Sequence, residues 1–131
     1  MNSAEKSVAA RGSAKKILIV DDSETIRQSV ASALEAAGFQ VVQARDGLEG
    51  IERINSEKPA MVILDVNMPR LNGLDMLERL DLKSMNLPVL LLTTEVQPSM
   101  IARAKQAGAR GWMVKPVKLD QLVEAIKKIV A

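Results

Sequence analysis

Apolar residues in this chain follow two rhythms. Four runs are continuously apolar, Ile17-Leu18-Ile19-Val20, Met61-Val62-Ile63-Leu64, Val89-Leu90-Leu91-Leu92 and Trp112-Met113-Val114. Between them lie longer stretches in which apolar positions recur every three or four residues. Short continuous runs read as strands buried on both faces of a parallel sheet, and the stretches between them read as the helices that cover it. Strand Lys16 to Val20 leads into a helix from about Ser23 to Ala37, with Ile26, Val30 and Leu34 at helical spacing and Gly38 as its stop. A second strand covers Gln40 to Ala44. Asp46-Gly47 then turns into a helix whose Leu48, Ile51 and Ile54 form a core stripe, and Pro59 precedes a strand from Ala60 to Leu64. Past the loop Met68 to Gly73 a third helix carries Leu74, Leu77 and Leu80, and Pro88 precedes the fourth strand. A weakly apolar fourth helix, Pro98 to Ala107, ends at Gly108. The chain closes with a strand Gly111 to Val114 and a helix Leu119 to Val130 that has Leu119, Leu122, Val123, Ile126, Ile129 and Val130 on one side. Five strand-helix units are too few for a closed eight-stranded barrel, so the expectation is an open, doubly wound α/β sheet of five parallel strands. Residues 1 to 14, poor in large apolar groups, read as a flexible tail before one domain over 15 to 131.

The apolar runs end on polar residues of different kinds: Asp21-Asp22, Asp65, Thr93 and Lys115-Pro116. Parallel sheets place ligand chemistry at the carboxyl ends of their strands, so these groups are expected on one rim. Taken singly, Asp21 and Asp22 would be a helix N-cap, Thr93 an ordinary β-branched residue and Lys115 a solvated cation. Together they are more. Carboxylates within ~4 Å of each other repel by about 4 kcal/mol per pair at an effective dielectric of 20, so a cation is required. All-oxygen ligands on an open rim favour a hard divalent ion, and Mg²⁺ suits a site that also holds phosphate. Thr93 and Lys115 supply the hydroxyl and ammonium that the oxygens of an arriving phosphoryl group need. The Lys115-Pro116 bond invites a cis peptide, which could aim the lysine at the acids.

Composition narrows the picture. The chain has 131 residues, 47% of them hydrophobic and 26% charged, which fits one globular domain. Eighteen Lys plus Arg stand against 16 Asp plus Glu, without the basic stripe or recognition helix that nucleic acid would require. The absence of Cys excludes disulfide and thiol chemistry, and the absence of His means that a phosphohistidine or a His general base must come from another protein. No apolar stretch resembles a secretion signal or a membrane span, so a cytoplasmic protein is expected. Enzymes of similar architecture fit poorly. Asp21-Asp22-Ser23-Glu24 would repel the phosphate of a flavin, the second Asp that haloacid dehalogenases carry two residues after the nucleophile is here Asn67, and no Gly-rich nucleotide loop is present.

The segments Val20-Asp21-Asp22-Ser23, Asp46-Gly47, Leu64-Asp65-Val66-Asn67-Met68-Pro69, Thr93-Thr94-Glu95 and Val114-Lys115-Pro116 resemble the receiver domain of two-component response regulators, most nearly the single-domain chemotaxis type represented by CheY. The resemblance extends from Lys16 to Val130. It implies the flavodoxin-like strand order 2-1-3-4-5, known for this fold rather than read from the residues. It further implies that Asp65 is the phosphoacceptor, and that Asp22 binds Mg²⁺ directly, Asp21 directly or through water, and the Asn67 backbone carbonyl as a further ligand. Thr93 resembles the switch hydroxyl, Lys115 the phosphoryl contact, and Trp112 the aromatic that turns inward on activation, where Tyr or Phe is usual. Asn67 and Glu95 occupy positions that govern the lifetime of the acyl phosphate. Asn72 stands where Asp is common, and Gly50 where Ala is common. The implied protein is not an enzyme but a monomeric phosphoacceptor that assists its own chemistry. Its donor would be a CheA-like histidine kinase and its target a flagellar switch component or another kinase, met by the face from Pro98 to Val130. A phosphate sink or relay intermediate, or a receiver cut from a transcriptional regulator, would share the same site.

Overall fold

The computed structural model describes residues 14–68, 71–94 and 96–130. The tail expected over 1 to 14 therefore lies outside the described residues except for its last position. Five strands, β1 (Lys16–Val20), β2 (Gln40–Ala44), β3 (Met61–Asp65), β4 (Val89–Thr93) and β5 (Gly111–Val114), form one parallel sheet in the order β2-β1-β3-β4-β5. The helices are α1 (Glu24–Ala36), α2 (Gly47–Glu57), α3 (Gly73–Arg79), the short α4 (Leu82–Met85), α5 (Pro98–Ala107) and α6 (Leu119–Val130).

Alternation within the strands divides the core in two. Leu18, Val20, Val62, Leu64, Val89 and Leu91 face Ile54 of α2, Met76 and Leu77 of α3 and Ala104 of α5. Ile17, Ile19, Met61, Ile63, Leu90 and Leu92 face Val30 and Leu34 of α1 and Leu122 and Ile126 of α6. With both faces covered, every residue of β3 and β4 is buried, which is why those strands read as unbroken apolar runs.

Three expectations need correction. The Trp112-Met113-Val114 run is not a buried strand. β5 lies at the sheet edge, and Trp112 and Val114 are substantially exposed. Leu48 is also outside the core, because α2 packs through Gly47, Gly50 and Ile54. A Cβ on Gly47 would come within 2.6 Å of the Leu71 carbonyl oxygen, so that helix face owes its close approach to the missing side chain. Finally, the helix expected to carry Leu74, Leu77 and Leu80 stops at Arg79. Leu80 is an extended C-cap, and Asp81 caps the separate α4 by accepting from the Ser84 N–H.

Local chemistry sets the other helix ends, and the cap of α1 is Ser23 rather than Asp21 or Asp22. Ser23 Oγ accepts from the Ile26 N–H at 3.2 Å, Asp46 Oδ1 from Glu49 at 2.9 Å, and Asn72 Oδ1 from Asp75 at 2.9 Å. Gly38 and Gly108 follow α1 and α5 with φ of 97° and 100°. Such left-handed conformations suit glycine.

Candidate functional site

The carboxyl ends of β1, β3, β4 and β5 bring their polar residues to one rim. Asp21, just after β1, is fully buried. Its Oδ1 accepts from the Ser23 N–H at 2.9 Å and its Oδ2 from Lys115 Nζ at 3.1 Å. Asp22 is exposed, since the chain has left the sheet and the next side chain turns to solvent. Asp65 ends β3 and is 1% exposed. Its Oδ1 lies 3.1 Å from Lys115 Nζ and accepts from the Asn67 N–H at 3.2 Å. Oxygens of Asp21, Asp22 and Asp65 all lie within 4.8 Å of one another.

Lys115 follows β5, and its backbone N–H donates to the Thr93 carbonyl at 2.7 Å. The Lys115-Pro116 peptide is cis. One ammonium thus bridges two buried carboxylates while a third stands nearby, leaving two more negative than positive charges in the cluster. The electrostatics register this excess. Burial, and secondarily the charge of Asp21, raises the Asp65 carboxyl above its ordinary 3.8, against the opposing pull of Lys115 and the Asn67 N–H. Burial by itself would lower Lys115, but its bonds and charge attraction to Asp21 and Asp65 together outweigh this and hold its pKa above the ordinary 10.5.

Thr93 ends β4 and is 1% exposed. Its hydroxyl donates to the Met100 thioether at 3.9 Å. Beside it, the Asn67 amide donates to Thr94 Oγ1 at 3.0 Å and ties the loop after β3 to the loop after β4. Trp112 lies on the edge strand, its ring 5.6 Å from Lys105 Nζ, in the range of a cation–π contact. Glu95 lies outside the described residues. The structure therefore brings Asp21, Asp22, Asp65 and Lys115 into one cluster, places Thr93 and Asn67 at its border, and leaves Trp112 on the neighbouring surface.

Some supporting groups escape sequence reasoning. Arg27 donates to the Asp21 carbonyl at 2.7 Å and to Gln43 at 3.2 Å, bracing the β1 rim from α1. Its place four residues after the Ser23 cap, on the turn that overhangs the rim, is the signal that could have found it. Met100 and Arg103, which meet Thr93 and α3 from α5, carry no local signal. Gly73 does have one, as a glycine opening a helix. A Cβ there would meet the Asp65 carbonyl oxygen and lie 2.9 Å from Val66 Cα, so α3 can start against the backbone of Asp65 only without a side chain.

The donors suit a hard cation. The cluster offers carboxylate oxygens, and Asp21 already has both of its oxygens engaged, whereas among the described residues the exposed Asp22 carboxylate has no hydrogen bond or ion pair. No helix among the described residues is long and apolar enough to cross a membrane.

Comparison with known proteins agrees with this architecture. The chain is 33% identical over 114 residues to sporulation initiation phosphotransferase F of Bacillus subtilis, covering 87% of this chain and 92% of that protein. It is 36% identical over 118 residues to the transcriptional regulatory protein PdtaR of Mycobacterium tuberculosis, covering 89% of this chain but 57% of that one, so it spans little more than half of such longer relatives. Among solved structures, chemotaxis protein CheY4 of Vibrio cholerae superposes with a TM-score of 0.83 at 36% identity, covering 88% and 98% of the two chains. A CheY-like receiver domain from Methanospirillum hungatei gives 0.85 at 29% identity, covering 89% and 94%. Residues 17–127 match the model of the response regulator receiver domain, and with the sheet order and the acidic rim already in place the chain belongs to that family, whose members take phosphate from histidine kinases and act on target proteins.

Proposed function

We propose that this receiver is phosphorylated on Asp65 with the help of Mg²⁺ and switches a protein-binding face in chemotaxis signalling. The observation that carries the reading is the bridge of Lys115 between Asp21 and Asp65 within a cluster of three carboxylates. A carboxylate oxygen of Asp65 attacks phosphorus in line. The new P–O bond forms as the P–N bond to the histidine of a CheA-like kinase breaks, and the leaving imidazole takes a proton from solvent. Lys115 can exchange a carboxylate contact for a phosphoryl oxygen, keeping its charge beside the developing negative charge.

Asp22, Asp65 and the Asn67 carbonyl are the groups that would hold Mg²⁺, with Asp21 joining directly or through water; engagement of both Asp21 oxygens favours water. The ion supplies charge neutralisation of the phosphoryl oxygens. Thr93 then turns toward the phosphoryl group, Trp112 responds at the edge strand, and Asn67 and Glu95 set how fast water reaches the acyl phosphate. The protein acts in the cytoplasm as a monomer, without membrane or nucleic acid, as a phosphoacceptor rather than an enzyme with turnover on a separate substrate. Its output face is α5, β5 and α6, where Lys118, Lys127 and Lys128 are exposed, which suits an acidic segment on a flagellar switch component or a kinase.

A second reading is a relay intermediate or phosphate sink. It is favoured by the relative named a phosphotransferase, 92% of whose length the chain covers. The longer regulators it half covers support a third, a receiver that serves a transcriptional regulator.

Treatment with acetyl phosphate and Mg²⁺ should add one phosphoryl group by mass spectrometry. Label on Asp65→Asn at full stoichiometry would refute the assignment. Capture of partners by beryllofluoride-treated and untreated protein distinguishes switch from sink, since only a switch gains a target on activation.

A further inference from the structure

We infer that Met100 is a positioning residue that holds the Thr93 hydroxyl in the resting state and so sets how readily the site accepts a phosphoryl group. The inference rests on the reading of Thr93 as the group that turns toward phosphate. The Thr93 hydroxyl donates to Met100 Sδ at 3.9 Å, a long contact to a weak acceptor. Threonine has one O–H proton. It cannot donate to the thioether and to a phosphoryl oxygen at once, so the two arrangements compete. Thr93 is 1% exposed, so its hydroxyl is shielded from bulk water.

Met100 is held where this competition needs it. It belongs to the first turn of α5, and Arg103, three residues on, binds Glu78 at 2.6 and 3.1 Å and Asp75 at 3.3 Å. Those acids lie on α3, whose first residue packs against the Asp65 backbone. The helix that carries the acceptor is thus tied to the helix that leaves the phosphoacceptor loop. A cavity of about 300 Å³, lined by Asn67, Thr93 and Met100 among others, adjoins the contact and leaves the sulfur room to withdraw.

The test titrates the full chain with beryllofluoride in saturating Mg²⁺, followed by amide shifts in NMR. Met100→Leu keeps the volume and removes the acceptor. Loss of one weak hydrogen bond from the resting state should tighten apparent beryllofluoride affinity about threefold. Met100→Gln, whose amide oxygen is a stronger acceptor than the thioether, should bind no more tightly than wild type. In a Thr93→Val background, Met100→Leu should have no effect, a result that altered packing alone would not produce. Identical affinity in wild type and Met100→Leu, or an equal effect with and without the hydroxyl, overturns the inference while leaving the receiver chemistry standing. A wild-type protein that shows no Asp65-dependent response overturns both.

Discussion

Asp65 is a carboxylate kept in an uncomfortable place. It is almost wholly buried beside Asp21, and among the described residues Lys115 and the Asn67 N–H offset the cost of its charge. Because its pKa is raised in the folded state, the native protein binds more protons than the unfolded chain between the ordinary carboxylate value and the folded value, so stability falls as pH rises through that window. Asp65→Asn cannot pay this cost. Without metal, urea denaturation should show the variant as stable as wild type in acid, below about pH 3.8, and more stable at pH 7. A variant less stable at pH 7 would mean that the Lys115 bridge outweighs burial and repulsion. The roles of Asp21 and Lys115 at this scale were partly legible, because a polar residue ending an apolar run has few structural reasons to be there. That Asp21 is buried while Asp22 is exposed was not, since two adjacent aspartates look alike until the chain leaves the sheet.

At the scale of elements, the site depends on how closely α3 starts against β3. Gly73 donates its N–H to the Val66 carbonyl at 2.9 Å, and the space a Cβ would need is filled by backbone, which cannot swing aside. Gly73→Ala should therefore cost about 2 kcal/mol or more by overpacking, read as a lower denaturation midpoint, and should slow labelling of Asp65 by displacing its carbonyl. Gly50 offers a contrast. A Cβ there would lie 3.0 Å from Met76 Cε and 3.2 Å from Val20 Cγ2, so its nearest neighbour is the flexible end of a side chain. Periodicity located nearly every element, because caps and apolar spacing are local properties. It misjudged the third helix, where Asp81 competes for a cap and splits the run, and the α2 stripe, where two glycines turn the packed face away from Leu48.

For the molecule as a whole, the rim lies at the carboxyl ends of the strands and the α5, β5 and α6 face at one edge of the same sheet, and a ligand at the first should be felt at the second. The proposed metal cluster exists only in the fold, so Mg²⁺ at about a hundredfold excess over its Kd should add about 2.7 kcal/mol of stability, an increment that Asp22→Ala should largely abolish. With beryllofluoride present, amide shifts should extend from the rim to α5, β5 and the Trp112 indole. Changes confined to α1 and α2 would mean that the signal leaves by another route. The sequence by itself determined the strands, most helix ends, the parallel class of sheet and the polar residues that meet at the rim, because each follows from local spacing, capping and side-chain type. Only the tertiary structure decided that β5 is an edge with Trp112 exposed under Lys105, that one ammonium is shared between Asp21 and Asp65, and that Met100 and Arg103 reach the site from α5. These are contacts between residues far apart in the chain. They depend on the order in which strands pair and the angle at which helices settle, and no single segment encodes either.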